Sequence, residues 1–352
     1  GNAGAAITAM VAPSLLGIFT RGGADAERWR LLPRMYALAL VVTALLFWLS
    51  TFPRRPEEPV LRTLSQRLEP LRSVRVWRFG LYYFLVFGGF VALSQWLIPY
   101  YVNVYALTVV SAGLLSSIFS LPSGVIRALG GWLSDRLGAR TVMYWVLAGC
   151  TAASLLLIVP RMDIQSPGEG VLATRAGTVA AVTEDAILVD GTRYPLRRMD
   201  PGNLKREGTL IWPTSASWQE AVVRPGEQVA RRQLLARGVT HIYFQANIWI
   251  FTGLVFVIGI LMGIGKAAVY KHIPEYFPNE VGTVGGMVGV IGGLGGFVGP
   301  ILFGYMLDGT GIWTSSWMFL FGISLASLVW MHLVIRRMMA ERAPEVATHI
   351  ER

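Results

Sequence analysis

The chain has 352 residues, of which 53% are hydrophobic and only 15% charged, against roughly a quarter charged in ordinary soluble domains. With a mean hydropathy of +0.51, this excludes a soluble globular protein and points to a polytopic membrane protein. The formal net charge of +10 does not indicate nucleic-acid binding, because the excess arginines fall between apolar stretches, where the positive-inside bias puts them.

About 20 mainly apolar residues cross a hydrocarbon core, and that pattern recurs near 1–19, 34–52, 76–100, 107–131, 140–160, 245–270, 281–306 and 312–338. The first span is cut short. The chain opens "GNAGAAITAM" with no initiator methionine or charged flank, so it reads as a fragment lacking its N-terminal part. Between the second and third spans, Arg54, Arg55, Arg62, Arg67, Arg72 and Arg75 make the connection cytoplasmic by the positive-inside rule. Alternation then places Arg136, Arg140, Lys271, Arg336 and Arg337 on the same side. The connections at 101–106 and 307–311 carry no Lys or Arg. One loop dissents, with Arg21, Arg28 and Arg30 outside beside Asp25 and Glu27.

In the third span, Tyr83 and Phe87 stand four apart and share a helix face; aromatic residues at that spacing are ordinary in a core or against lipid. The fourth span holds Arg127, in "SLPSGVIRALGGWLSDRLGAR". An arginine near the membrane centre costs about 2.5–3.5 kcal/mol on insertion scales, and no acidic residue in any span stands ready to neutralise it. A planar guanidinium offers paired donors to a flat trigonal anion, a geometry an ammonium does not match. The alternative is snorkelling, but Arg127 stands two turns above Asp135, which makes the reach to the surface long. In the same motif, Asp135 with Arg136 and Arg140 fits a cytoplasmic latch, Gly131 and Gly138 letting helices and turn crowd together. The single cysteine, Cys150, lies in an apolar run, which excludes an internal disulfide or a thiolate cluster.

The segment 161–243 is polar and too long for a connector within a compact bundle. "GTVAAVTEDAILVDGTRYPLR" carries short β-branched runs, with Asp190-Gly191 as a two-residue hairpin turn, and Pro225-Gly226 marks a second turn. A small antiparallel barrel or sandwich on the outer face is expected, similar to the lipoyl-type hairpin modules of envelope proteins. No lysine sits at a hairpin tip to carry such a cofactor, so no cofactor is expected. A spacer, or a docking site for an envelope protein, remains. No catalytic spacing is present, and the chain is not expected to be an enzyme.

Beyond this segment, Lys266 in "GIGKAAVYKHIPEYFP" lies toward the cytoplasmic end of its span and is expected to snorkel; a gate or anion relay is the second reading. In "VGTVGGMVGVIGGLGGFVGPILFG", Gly285, Gly289 and Gly293 stand four apart, with Gly292, Gly296 and Gly299 alongside. Small residues at this spacing let two helices approach closely in lipid. They also leave backbone reachable beside a substrate path, with Gly295, Gly296 and Pro300 as points where the helix flexes or breaks.

"GNAGAAITAMVAP" at the start and "GGLGGFVGP" at 292–300 resemble the paired glycine-rich signatures of the nitrate/nitrite porter family of the major facilitator superfamily. "GGWLSDRLGAR" at 130–140 resembles the superfamily's cytoplasmic loop motif. The resemblance covers the chain except the inserted domain. It implies an all-α polytopic membrane protein of the major facilitator fold, with helices five to twelve present and a small inserted β-rich soluble domain. The parts would be 1–52 as the last two helices of the N-terminal lobe, 53–75 as a cytoplasmic linker, and 76–160 as the first three helices of the C-terminal lobe. Then follow 161–243 as the extracytoplasmic insert, 244–338 as the last three helices, and 339–352 as a cytoplasmic tail. The implied function is alternating-access transport of nitrate and nitrite, by symport or nitrate/nitrite exchange, across a bacterial inner membrane, in contact with the lipid bilayer; the alternatives are a small organic-anion porter of the same superfamily and a membrane-anchored sensor or adaptor using the inserted domain. The resemblance also implies a substrate-binding role for Arg127, a hydrogen-bonding role for Tyr83 and a ring beside the anion for Phe87. Asn2 falls where the family has a polar residue near the substrate; an interhelical hydrogen bond is the alternative. Gly293, Gly295 and Gly296 would line the path. Gly131, Asp135, Arg136, Gly138, Arg140 and Lys266 would govern conformational change.

Overall fold

A computed structural model of the chain describes residues 2–20, 25–52, 63–199 and 213–342. Arg21, Arg54, Arg55 and Arg62, and the tail beyond 342, lie outside them. The described chain is mostly helical and divides into two compact units, Gly1–Ile158 with Thr252–Arg352, and Val159–Phe251.

The helical unit contains α1 (Asn2–Phe19) and α2 (Leu31–Ser50), then α3 (Val74–Tyr105), α4 (Val109–Leu137) and α5 (Ala139–Leu157). After the insert come α6 (Ile248–Tyr276), α7 (Val281–Thr310) and α8 (Ser315–Arg342). Seven helices among the described residues are long and apolar enough to cross a membrane; α1 is a shorter apolar helix. Local chemistry fixes their ends. Thr108 caps α4 by accepting from Ser111 N at 3.2 Å, satisfying a backbone donor that the first turn leaves free. Gly138, at φ +84°, reverses the chain between α4 and α5, a conformation in which a side chain would be strained.

The inner surfaces of these helices touch backbone to backbone where glycine removes the side chain. A Cβ on Gly130 would lie 2.6 Å from the Ile264 carbonyl oxygen, and one on Gly263 3.1 Å from Ser123 Cα. Gly259 and Gly263, four apart on α6, therefore seat that helix against α4 in the manner of small-residue contacts in lipid. The expected crowding at Gly131 is not seen: nothing approaches within 4 Å, and its neighbour Gly130 makes the contact. Gly88 of α3 faces α7 so closely that a Cβ on it would lie 2.7 Å from Gly295 Cα. In this conformation α7 runs unbroken through Gly295, Gly296 and Pro300. Gly295 and Gly296 are packed against Phe84 and Val91 of α3.

The insert contains seven strands, β1 (Met162–Leu172), β2 (Gly177–Val182), β3 (Ala186–Val189), β4 (Thr192–Pro195), β5 (Thr214–Ala221), β6 (Gln228–Val229) and β7 (Leu234–Phe244). They form two antiparallel sheets, ordered β1-β7-β5 and β4-β3-β2-β6. Asp190 and Gly191 join β3 to β4 with φ of 44° and 80°, the pair of positive values that a type I′ hairpin turn requires. Gly226, at φ +87°, donates its N–H to Val179 O at 2.7 Å. Val179, Ile187, Val189 and Tyr194 pack with Leu235 and Ala236 of β7 into one core.

On the three-stranded sheet, Glu220 accepts from the Trp218 indole at 3.0 Å and from Arg237 Nη2 at 2.6 Å. The Trp218 hydrogen bond first, and the Arg237 guanidinium second, hold the Glu220 carboxyl below the usual carboxylate range. A depressed folded-state value stabilises at pH above the unfolded carboxylate value, and the contribution is lost as pH falls through the lower, folded value. Both side chains are substantially exposed, so the effect is small and salt-screened. Amide exchange in β5 and β7 should accelerate as pH falls below the ordinary carboxylate range, relative to β2 and β3. Glu220→Gln should flatten that difference; an unchanged pH dependence in the variant would exclude this ion pair as its source.

Candidate functional site

The polar side chains within the membrane-spanning helices converge where α3, α4, α6 and α7 meet. Near the middle of α3, the segment Phe84–Gly89 adopts π-helical hydrogen bonding, a departure from α geometry that recurs at functional sites. At its start Tyr83 is buried and stacks on Phe87, with ring centroids 5.0 Å apart and planes at 12°. Tyr270 of α6 meets Tyr83 edge-on, also at 5.0 Å, and donates its hydroxyl to Gly285 O at 3.2 Å. Gly292 abuts the Tyr83 ring directly. Tyr83 and Phe87 thus form one aromatic wall, as their spacing indicated.

Lys266 is fully buried, which corrects the expectation that it snorkels. Its Nζ donates to Ser123 Oγ at 3.0 Å and sits 3.2 Å from the Phe90 ring centroid and 5.9 Å from that of Phe87. The reason lies in helix length: α6 continues to Tyr276, so about 15 Å of helix, at 1.5 Å per residue, separates Lys266 from that end. The contact of Gly263 with Ser123 brings the two helices close enough for the hydrogen bond. No carboxylate pairs with Lys266 among the described residues.

Arg127 lies on α4 one turn beyond Ser123, within electrostatic reach of both Tyr83 and Lys266. It has no ion-pair partner among the described residues. Its side chain is exposed in the helical unit, as are Val125 and Leu129 on either side. Asn2 opens α1, and its side chain lies outside what is described. Gly293 has open space around it, whereas Gly295 and Gly296 are consumed by packing, so the three glycines do not act alike.

The motif at 130–140 departs from expectation in its pairing. Asp135 pairs with Lys271 of α6, not with Arg136 or Arg140. Arg136 instead lies over the Trp132 ring at 4.6 Å, and Arg140 Nη2 approaches the Tyr276 hydroxyl at 3.5 Å. Neighbouring residues on a helix point about 100° apart, so Arg136 is directed away from the carboxylate beside it. Ser123, Tyr270 and Lys271 are the participants that the sequence reading did not single out. The three- and four-residue spacing of Ser116, Ser120, Ser123 and Arg127 was the available signal for the first of these.

The chain matches the Major Facilitator Superfamily over residues 1–183 and 234–349. It belongs to that superfamily. It is therefore a multi-pass membrane protein, in keeping with its seven long apolar helices. It is 36% identical over 356 residues to a probable nitrate/nitrite antiporter of Thermus thermophilus, covering all of this chain and 65% of that protein. It is 25% identical over 353 residues to a nitrite extrusion protein of Bacillus subtilis, covering all of this chain and 64% of that protein. A probable nitrate/nitrite transporter of Mycobacterium tuberculosis is 32% identical over 152 residues, covering 42% of this chain and 36% of that protein. The chain thus spans about two thirds of the length of the first two relatives.

Proposed function

We propose that the chain forms part of an alternating-access carrier for nitrate and nitrite in a bacterial cytoplasmic membrane. The carrying observation is the guanidinium of Arg127 within electrostatic reach of the Tyr83–Phe87 wall and of the buried Lys266 amine, with no carboxylate paired to either among the described residues. A guanidinium without an acidic partner favours an anion in that place. Arg127 supplies the planar donor fork, Tyr83 the bounding ring and Lys266 a hydrogen-bonding amine behind it. Gly293, with open space around it, leaves α7 backbone approachable from the path.

Neutralising the anion in this way lowers the cost of enclosing it while the lobes rock past one another. The Asp135–Lys271 pair would be made and broken in that cycle, because an exposed ion pair is weak and screened by salt. With no acidic side chain in this cluster to carry a proton, nitrate/nitrite exchange is preferred over proton symport. The basic ends, with Arg136, Arg140 and Lys271, would face the cytoplasm, and the β-rich unit would stand outside as a spacer or partner-docking module.

Full-length protein in vesicles preloaded with nitrite should take up nitrate, and uptake should collapse when the interior holds only chloride. Equal uptake into both kinds of vesicle would refute exchange, and uptake into neither would refute the substrate. Replacing 165–240 by a Gly/Ser linker should leave nitrate affinity near its original value. A selective loss of binding in a well-folded variant would place the β-rich unit in the transport chemistry.

A further inference from the structure

We propose that the helical unit holds a second anion site, built for the headgroup of an anionic phospholipid, in a cleft between α3, α5, α6 and α8. The cleft measures about 300 Å³ including its open mouth. It is lined on its polar side by Arg78, Tyr82, Arg140 and His272. Arg75, Arg78, Phe79 and Tyr82 follow three-, four- and seven-residue spacing and so share one face of α3. Tyr83 is turned about 100° from Tyr82 toward α7, so this cleft and the Tyr83–Arg127 cluster lie on different sides of the same helix.

The polar groups here are under-satisfied. Arg78 is only 7% exposed, and no carboxylate pairs with it among the described residues. The Tyr82 hydroxyl and His272 Nδ1 are both buried without a hydrogen-bond partner. His272 is held in place by stacking on Phe79 at 5.6 Å and 5°. Arg140 reaches only the Tyr276 hydroxyl at 3.5 Å, and Arg75 covers that ring at 5.3 Å. The nearest acid to His272 is Glu275, whose Oε2 lies 3.9 Å from Nδ1, beyond hydrogen-bond distance, on an exposed side chain. Buried polar atoms normally find partners. A ligand that supplies several acceptor oxygens and negative charge meets Arg78, Arg140 and the Tyr82 hydroxyl, and a phosphate does so with charge-assisted, bidentate geometry at arginine.

The opposite wall decides between a soluble phosphate and a lipid. It consists of Met331, Val334 and Met338 of α8, apolar surface that a free phosphate would leave unused. Val334, Ile335 and Met338 are half-buried, so the apolar wall itself reaches the surface of the helical unit, where an acyl chain can follow it. Basic pockets between membrane helices are suited to anionic headgroups in this way. The proposal stands whichever anion the protein carries.

The test places full-length protein in phosphatidylcholine nanodiscs doped with phosphatidylglycerol and measures retained lipid by native mass spectrometry. Phosphatidylglycerol should be retained in preference to phosphatidylcholine, and inorganic phosphate should fail to displace it. Arg140→Gln should weaken retention about tenfold or more, as expected for one charge-assisted hydrogen bond, and Tyr82→Phe by a smaller, severalfold factor. Tyr82→Phe removes a single oxygen, so it keeps the test valid should Arg78→Gln fail to fold. Retention unchanged in both Arg140→Gln and Tyr82→Phe would overturn the proposal. So would displacement by inorganic phosphate, which would mark a soluble-anion site. An equal loss in Arg72→Gln, which lies outside the cleft, would reduce the effect to surface charge and overturn it as well.

Discussion

Replacing Arg127 by lysine is expected to weaken nitrate binding about ten- to hundredfold while leaving the helical unit folded. Lysine keeps the positive charge, so long-range attraction survives. What disappears is the planar fork and its two parallel donors, and one charge-assisted hydrogen bond is worth about 1.5–3 kcal/mol. Because Arg127 is exposed and makes no ion pair among the described residues, the substitution removes no structural contact that the helices rely on. Arg127→Ala should bind more weakly still, because it removes the charge as well as the donors. Nitrate binding to reconstituted protein, with monodispersity checked for each variant, measures this directly. A well-folded lysine variant with undiminished affinity would move the anion site away from Arg127.

A large effect on stability is expected at Gly88. A helical Gly→Ala change ordinarily stabilises by roughly 0.5–1 kcal/mol, through reduced backbone freedom in the unfolded chain. At Gly88 the new Cβ would lie 2.7 Å from both Gly292 O and Gly295 Cα. Those atoms are backbone and have no rotamer to move to, so α3 and α7 must separate. Overpacking of this kind costs about 1–3 kcal/mol and outweighs the gain. Gly88→Ala should therefore lower the melting temperature, and Gly130→Ala should do the same against Ile264. Gly131→Ala and Gly293→Ala, with open space around each, should melt at or above the parent. A parent-like melt for Gly88→Ala would show that the two helices are not in backbone contact.

The membrane-spanning class was readable because it depends on composition summed over about 20 residues, and summed hydropathy needs no knowledge of neighbours. The Asp190-Gly191 turn was readable for the same local reason, since two successive positive φ values are what those residue types tolerate. Helix ends were read less well. α4, α6 and α7 run on to Leu137, Tyr276 and Thr310, past the expected span ends at 131, 270 and 306, because backbone hydrogen bonding continues where the side chains turn polar. That extension alone changed the reading of Lys266, from a side chain near a surface to one fully buried.

Composition and charge balance were enough to reveal a polytopic membrane protein and to single out Arg127, and the resemblance of three motifs pointed to the major facilitator superfamily and, through it, to Tyr83 and Phe87. Facing was beyond them. Which of Gly130 and Gly131 meets a neighbour depends on where α6 lies, and so does the choice of Lys271 over Arg136 or Arg140 as the partner of Asp135. The same holds for Lys266, whose hydroxyl partner is 143 positions away in the chain. A one-dimensional pattern fixes the angle of a side chain about its own helix axis. It carries no information on which helix stands opposite, and that is set by how the glycine-lined surfaces of α3, α4, α6 and α7 settle against one another.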